Sequence, residues 1–212
     1  MRKLALAFGT MLLATTATIA SLPAQAATQR ANADGTSACP PITGSLTLPP
    51  GPPGYAYVAT GTVNSACQLI ESPPTLVPDA ASPASSASQT LHAQYILRDP
   101  LGILLNELET TLNWTFNTTV LSHSVSDYHQ VAGDGWDVVY DHTYTVGGCD
   151  GCSYVTVEGS AEFYWVPSGG VYDNYNQNYV TGYWNGSGGC TFRWQWDTGF
   201  PGWTTHTSCT YG

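Results

Sequence analysis

The segment around Cys149-Asp150-Gly151-Cys152 constrains the fold most, because it closes a hairpin whose register the flanking residues themselves specify. Turning the chain there sets Val146 opposite Val155, Tyr144 opposite Val157 and His142 opposite Gly159. Further out, Tyr140 meets Ala161, Val138 meets Phe163 and Trp136 meets Trp165. Nearly every apolar residue of both segments then shares one face, as a half-buried antiparallel pair requires. A one-residue slip would scatter them over both faces. The reverse face is expected to be polar and acidic, with Asp137, Asp141, Glu158, Glu162 and Tyr164 among threonines and a serine.

A second hairpin is expected from Cys190 to Cys209. Pairing those cysteines sets Phe192 opposite Thr207, Trp194 opposite Thr205 and Trp196 opposite Trp203, with Arg193 facing His206 on the reverse side. The connection, residues 197–202, is rich in turn formers.

Two hairpins of this kind imply an all-β chain. Thr110–Thr118 alternates, with Leu112, Trp114 and Phe116 on one face, and residues 121–131 and 179–184 read as further strands. The expected architecture is an antiparallel β-sandwich, jelly-roll or immunoglobulin-like, with long disulfide-stapled hairpins. One short helix is expected near 99–108, where Asp99 and Pro100 form a helix-start signal ahead of Leu101, Leu104, Leu105 and Leu108.

The N-terminal third differs. Residues 1–26 read as a bacterial signal peptide: Arg2 and Lys3, an apolar stretch to Ile19, and Ala24-Gln25-Ala26 as a cleavage box. Residues 27–90 form a Pro-rich segment with one disulfide and a flexible linker over 78–90, and residues 91–212 form the aromatic-rich β domain. Ten of the 14 prolines lie between Pro40 and Pro83, whereas all seven tryptophans lie at or after Trp114. Whether residues 39–77 stand apart or complete the sandwich is open.

An exported chain with six cysteines implies disulfides rather than metal sites. Local pairing gives Cys39–Cys67, Cys149–Cys152 and Cys190–Cys209. Redox chemistry at Cys149/Cys152 would need a helix N-terminus to activate the thiol, and a strand follows instead. Without residues 1–26, Arg30, Arg98 and Arg193 face 15 acidic residues, a formal charge of −12. That charge argues against nucleic-acid partners and anionic membranes.

Catalytic signals are sparse. Asp141 with Glu158 or Glu162 would be diagonal neighbours, near the spacing of paired glycosidase carboxylates, but an exposed strand face does not raise the pKa of a general acid. Asp173–Asn178 is oxygen-rich without the calcium-loop pattern and reads as a polar loop. His142 reads as a core histidine beside Tyr140 and Tyr144. The composition is similar to that of secreted jelly-roll xylanases, but only Glu158-Gly159-Ser160 approaches one of their glutamate motifs, so no family is assigned. No cofactor, metal or catalytic residue is assigned.

The aromatic residues carry the remaining signal. Most tryptophans fall on inner faces, leaving Tyr164, Tyr172, Tyr175, Phe200 and Trp203 as candidate ligand-binding residues. Flat rings near Asn and Asp suit sugars, since the rings stack on pyranose faces and the amides take hydroxyls. The leading expectation is a secreted, non-catalytic β-sandwich that binds an extracellular ligand, a polysaccharide or a surface protein. The alternatives are a glycoside hydrolase and a structural or inhibitory protein.

Overall fold

The computed structural model describes residues 38–52, 54–78, 87–131, 135–165 and 173–212. Residues 1–26, expected to be a signal peptide, most of the 78–90 segment expected to be a linker, and Tyr172 lie outside them. Within them the chain forms two antiparallel sheets and no helix. The strands are β1 (Ile42–Leu48), β2 (Tyr55–Val63), β3 (Leu69–Glu71), β4 (Thr75–Pro78), β5 (Ser88–Arg98), β6 (Leu104–Phe116), β7 (Val120–Val131), β8 (Trp136–Gly148), β9 (Tyr154–Trp165), β10 (Asp173–Tyr183), β11 (Gly188–Trp196) and β12 (Thr204–Tyr211). One sheet has the order β1-β11-β10-β9-β8. The other runs β3-β2-β12-β5-β6-β7, with β4 also on β2. The N-terminal strands are therefore built into both sheets, β1 against β11 and β2 against β12.

Alternation builds the core. From the five-stranded sheet, Val155, Val157, Ala161, Phe163, Val180, Phe192, Trp194 and Trp196 point inward, and from the other sheet Leu91, Ala93, Tyr95, Leu97, Leu108, Leu112 and Trp114 meet them. Tyr95 stacks on Trp194 at 5.9 Å between ring centres. Gly159 lies against the Thr110 side chain with no room for a Cβ, which lets β9 approach β6 closely.

The inward side of β10 is unusual. Asn174, Asn176, Asn178 and Val180 all have zero exposure. Asn178 donates across the sandwich to Ala93 O (3.0 Å) and Leu108 O (2.9 Å), and Asn176 donates to Asn106 Oδ1 (3.1 Å). The segment expected as a polar loop, Asp173–Asn178, is therefore a central strand: short amides satisfy hydrogen bonds between the sheets that an apolar core would leave to backbone alone.

The three disulfides are Cys39–Cys67, Cys149–Cys152 and Cys190–Cys209. The third is not a clip within a hairpin. β11 and β12 lie in different sheets, so Cys190 and Cys209, both fully buried, join the sheets through the core. Alternation holds in both strands, but their inner faces oppose one another instead of lying side by side. Trp196 still meets Trp203, at 6.1 Å and edge-on, across the arch that connects them. Arg193 and His206 consequently belong to different sheets.

The helix expected near 99–108 is absent. Asp99 accepts hydrogen bonds from Leu101 N and Ile103 N, both at 2.8 Å, Gly102 adopts φ +81°, and a tight turn leads into β6. The same Asp-Pro-x-Gly signal that starts a helix closes a β-turn when the flanking strands can pair.

The first hairpin also departs from its expected register. Trp136, Asp137 and Val138 pair as read, with Trp165, Tyr164 and Phe163. Irregularities between Val138 and Tyr140 and between Thr145 and Gly147 then each insert a residue into β8, so that Tyr140 meets Glu162, His142 meets Ser160 and Tyr144 meets Glu158. The aromatic stripe of β8 is thereby turned from the core to solvent.

Replacing Asn178 with Leu is expected to cost about 2 kcal/mol or more in urea unfolding, because two buried carbonyls lose their donor. Replacing Asn174, whose amide bonds no described protein group, is expected to cost less than about 1 kcal/mol. Equal losses would remove the intersheet role assigned to Asn178.

Candidate functional site

Because paired residues of an antiparallel ladder point to the same side, the register places a mixed aromatic and polar surface on the outside of the five-stranded sheet. On β9, Glu158, Ser160 and Glu162 form its centre line. β8 supplies Tyr144, His142 and Tyr140 on one flank, and β10 supplies Tyr179, Gln177 and Tyr175 on the other. β11 adds Thr191, Arg193 and Gln195 beyond them.

The residues repeat every four positions. Tyr140–Glu162–Tyr175 is one row, Tyr144–Glu158–Tyr179 the next, and Tyr154–Tyr183 continues the strip on β9 and β10. At about 3.3 Å per residue the rows stand about 13 Å apart. Tyr140, Tyr144, Tyr154 and Tyr183 are all exposed, and the last two rings lie 6.4 Å apart. Trp184, also exposed, follows at the same end.

Glu158 organises the middle row. Glu158 is only 4% exposed, and its carboxylate accepts from Gln177 Nε2 (2.7 Å) and the Tyr144 hydroxyl (3.2 Å), with Tyr179 in the same row. Both phenols are held above the usual tyrosine range, by desolvation first and by the Glu158 charge second. The Arg193 guanidinium sits 4.9 Å above the Tyr179 ring. On β8, His142 stacks with Tyr140 at 5.9 Å and approaches Tyr144 at 4.8 Å, so it is a surface histidine and not the core residue expected. Rings fixed in this way lose little conformational entropy when a ligand covers them.

The candidates read from sequence separate cleanly. Tyr175 and Tyr164 lie on this face, Tyr164 in the row of Asp137 and Asp173. There burial, and then the Asp197 charge, raises the Asp173 pKa. Trp203 is buried at 6% exposure among Trp136, Trp196 and Phe200, so it offers no ring face to a ligand. Phe200 packs half-buried on Trp203, 5.3 Å away. Tyr172 lies outside the described residues. Tyr140, His142, Tyr144, Tyr179, Tyr154, Tyr183 and Trp184 were missed; the four-residue spacing of Tyr175, Tyr179 and Tyr183 was the signal for part of that set.

The carboxylate pair considered for glycoside hydrolysis does not form. Asp141 pairs with Ala161, on the side away from Glu158 and Glu162, and bonds His129 Nδ1 at 2.8 Å. Glu158 and Glu162 are about 13 Å apart along one strand, beyond the roughly 5 to 9.5 Å of retaining and inverting pairs.

His129–Asp141 belongs to a seam between the sheet edges β7 and β8. Asp127 accepts from Thr143 there at 3.2 Å, and His123 bridges Asp150 and Thr145. An open cleft of about 660 Å³ adjoins it, lined by His129, Gln130, Val131 and residues 137–141. No cluster of three His, Cys, Asp or Glu side chains able to hold a metal occurs among the described residues. Comparison with family models, curated proteins and solved structures gives no match.

Glu158→Gln is expected to move part of the alkaline phenol titration, followed by ultraviolet absorbance, to lower pH. Removing a negative neighbour makes ionisation of Tyr144 and Tyr179 easier. An unchanged titration curve would show that the carboxylate does not control these rings.

Proposed function

We propose that this chain is an exported module that binds an extended polysaccharide along the outer face of the five-stranded sheet without cleaving it. The observation that carries this reading is the strip itself: tyrosines in rows four residues apart on β8 and β10, with carboxylates, amides and an arginine between them. Aromatic faces cover the apolar sides of sugar rings, and Glu162, Gln177, Gln195 and Arg193 supply donors and acceptors for hydroxyls. The length of the strip favours a polymer chain lying parallel to the strands over a single sugar. An open face also fits a long ligand, whereas small molecules are usually taken in concave pockets.

Export is part of the same reading. Its support is the pairing of all six cysteines in disulfides, which persist in oxidising compartments. The glycoside hydrolase alternative loses its geometric basis with Asp141 on the opposite side of the sheet.

The test is depletion of the pure protein by insoluble polysaccharides, with released reducing sugar assayed in the same tubes. Binding without sugar release is expected. Tyr175→Ala and Tyr140→Ala are each expected to weaken it about threefold to tenfold, the loss of one ring contact. Tyr128→Ala, 53% exposed on the other sheet, is the control and is expected to leave binding unchanged. Full retention by both strip variants would remove this face from the proposal, and sugar release would replace the binding module with an enzyme.

A further inference from the structure

The seam between β7 and β8 contains one arrangement that bridging alone does not require. His123 Nδ1 lies 2.6 Å from Asp150 Oδ1, and His123 Nε2 lies 2.8 Å from Thr145 Oγ1. A carboxylate only accepts, so Nδ1 carries the proton, and Nε2 of the neutral ring accepts from the Thr145 hydroxyl. This is the carboxylate–imidazole–hydroxyl order of an activated nucleophile. The other two bridges, His129–Asp141 and Asp127–Thr143, hold the same strands with single bonds and no relay. His92 contacts Glu109 and Thr111 through the same nitrogen and forms no relay either.

We propose that Thr145, His123 and Asp150 form a catalytic triad that hydrolyses short-chain, uncharged carboxylic esters, independently of the polysaccharide reading. Thr145 Oγ attacks the ester carbonyl carbon and its proton passes to His123 Nε2. The C–O bond to the alcohol then breaks, the departing oxygen takes that proton, and the acyl group remains on Thr145. Water attacks the acyl-threonine by the same route, releasing the carboxylic acid and restoring the hydroxyl. No oxidant, reductant or cofactor enters the balance.

Three features support the assignment. The Cys149–Cys152 loop is docked on the start of β7 by Gly151 N to Val120 O (2.6 Å) and Val120 N to Cys152 O (2.8 Å), which holds Asp150 beside His123. The β8 irregularity directly follows Thr145, and strand irregularities of this kind re-aim side chains at functional sites. Thr145 is exposed, so its hydroxyl is open to a substrate carbonyl arriving from solvent. Asp127, Asp141 and Asp150 along the same seam disfavour anionic substrates.

The test uses a fluorophosphonate probe, with peptide mass spectrometry to locate the adduct and p-nitrophenyl acetate to measure turnover. Wild type is expected to carry the adduct on Thr145 and not on Thr143. His123→Gln is expected to abolish it, Asp150→Asn to slow it about tenfold or more, and Thr145→Ser to retain it at the same position. Circular dichroism establishes that each variant is folded. Should Asp150→Asn lose the loop geometry, reduction of Cys149–Cys152 in wild type provides the second reading and is also expected to slow labelling. No adduct on Thr145 in folded wild type, or equal labelling in His123→Gln, overturns the proposal and leaves the three residues as a bridge between sheet edges.

Discussion

The buried amides of β10 are the constraint on which the outer surface depends. Asn178 is bonded to carbonyls of β5 and β6, and Asn176 to Asn106 of β6, so β10 is fixed in register against the opposite sheet as well as beside its neighbours. A strand alternates with period two. With Asn174, Asn176, Asn178 and Val180 held inward, Tyr175, Gln177, Tyr179, Thr181 and Tyr183 have one place left, the outer face. A slip by one residue would expose the asparagines and bury the tyrosine hydroxyls, leaving two backbone acceptors in the core without their donor. Apolar contacts tolerate small displacements more readily than directed hydrogen bonds do, so the amides specify register where hydrophobic burial alone would specify only a face.

Much of the fold was legible because alternation is a local property. The pairing of Trp136–Val138 with Phe163–Trp165 follows from the residues, as do the inner faces of β6, β9 and β11 and the three disulfide pairings. What alternation does not encode is which strand a face meets. Phe192, Trp194 and Trp196 with Thr205, Thr207 and Cys209 satisfy a hairpin and an arch equally, since both put these residues on the buried side. The arch prevails because β12 finds β2 and β5 as ladder partners while β11 finds β1 and β10. Those partners lie far away in sequence, and no local pattern announces them.

The candidate surface was less legible for the opposite reason. Its composition depends on two inserted residues in β8, each of which changes the facing of everything beyond it. From Trp136 to Val138 the face assignment holds, from Tyr140 to Thr145 it inverts, and the second insertion restores it at Gly147. The uninterrupted register made Tyr140, His142 and Tyr144 core residues and put Asp141 beside the glutamates. The true register exposes the aromatic residues and sends Asp141 to His129. The physical signal was present in β9, whose own inner face of Val155, Val157, Ala161 and Phe163 is complete without help from β8. An edge strand whose neighbour already closes the core can turn large residues outward at little cost in burial.

The same inversion explains why β8 serves two surfaces. Its even-numbered residues from Tyr140 to Tyr144 extend the tyrosine strip across β9, while Asp141, Thr143 and Thr145 face β7. β7 and β8 share no backbone ladder, so along the two strands this edge closes through side chains, with backbone bonds only where the Cys149–Cys152 loop meets Val120. Polar bridges are suited to that position, because a half-solvated edge cannot bury enough apolar surface to hold itself shut, whereas hydrogen bonds between short side chains keep their geometry beside water. Edge strands exposed along their length invite pairing with other chains, and here each of the two edges shields the other. The loop closed by Cys149–Cys152 completes that mutual cover at one end. It therefore has a structural reason to be rigid whether or not Asp150 also orients His123 for chemistry.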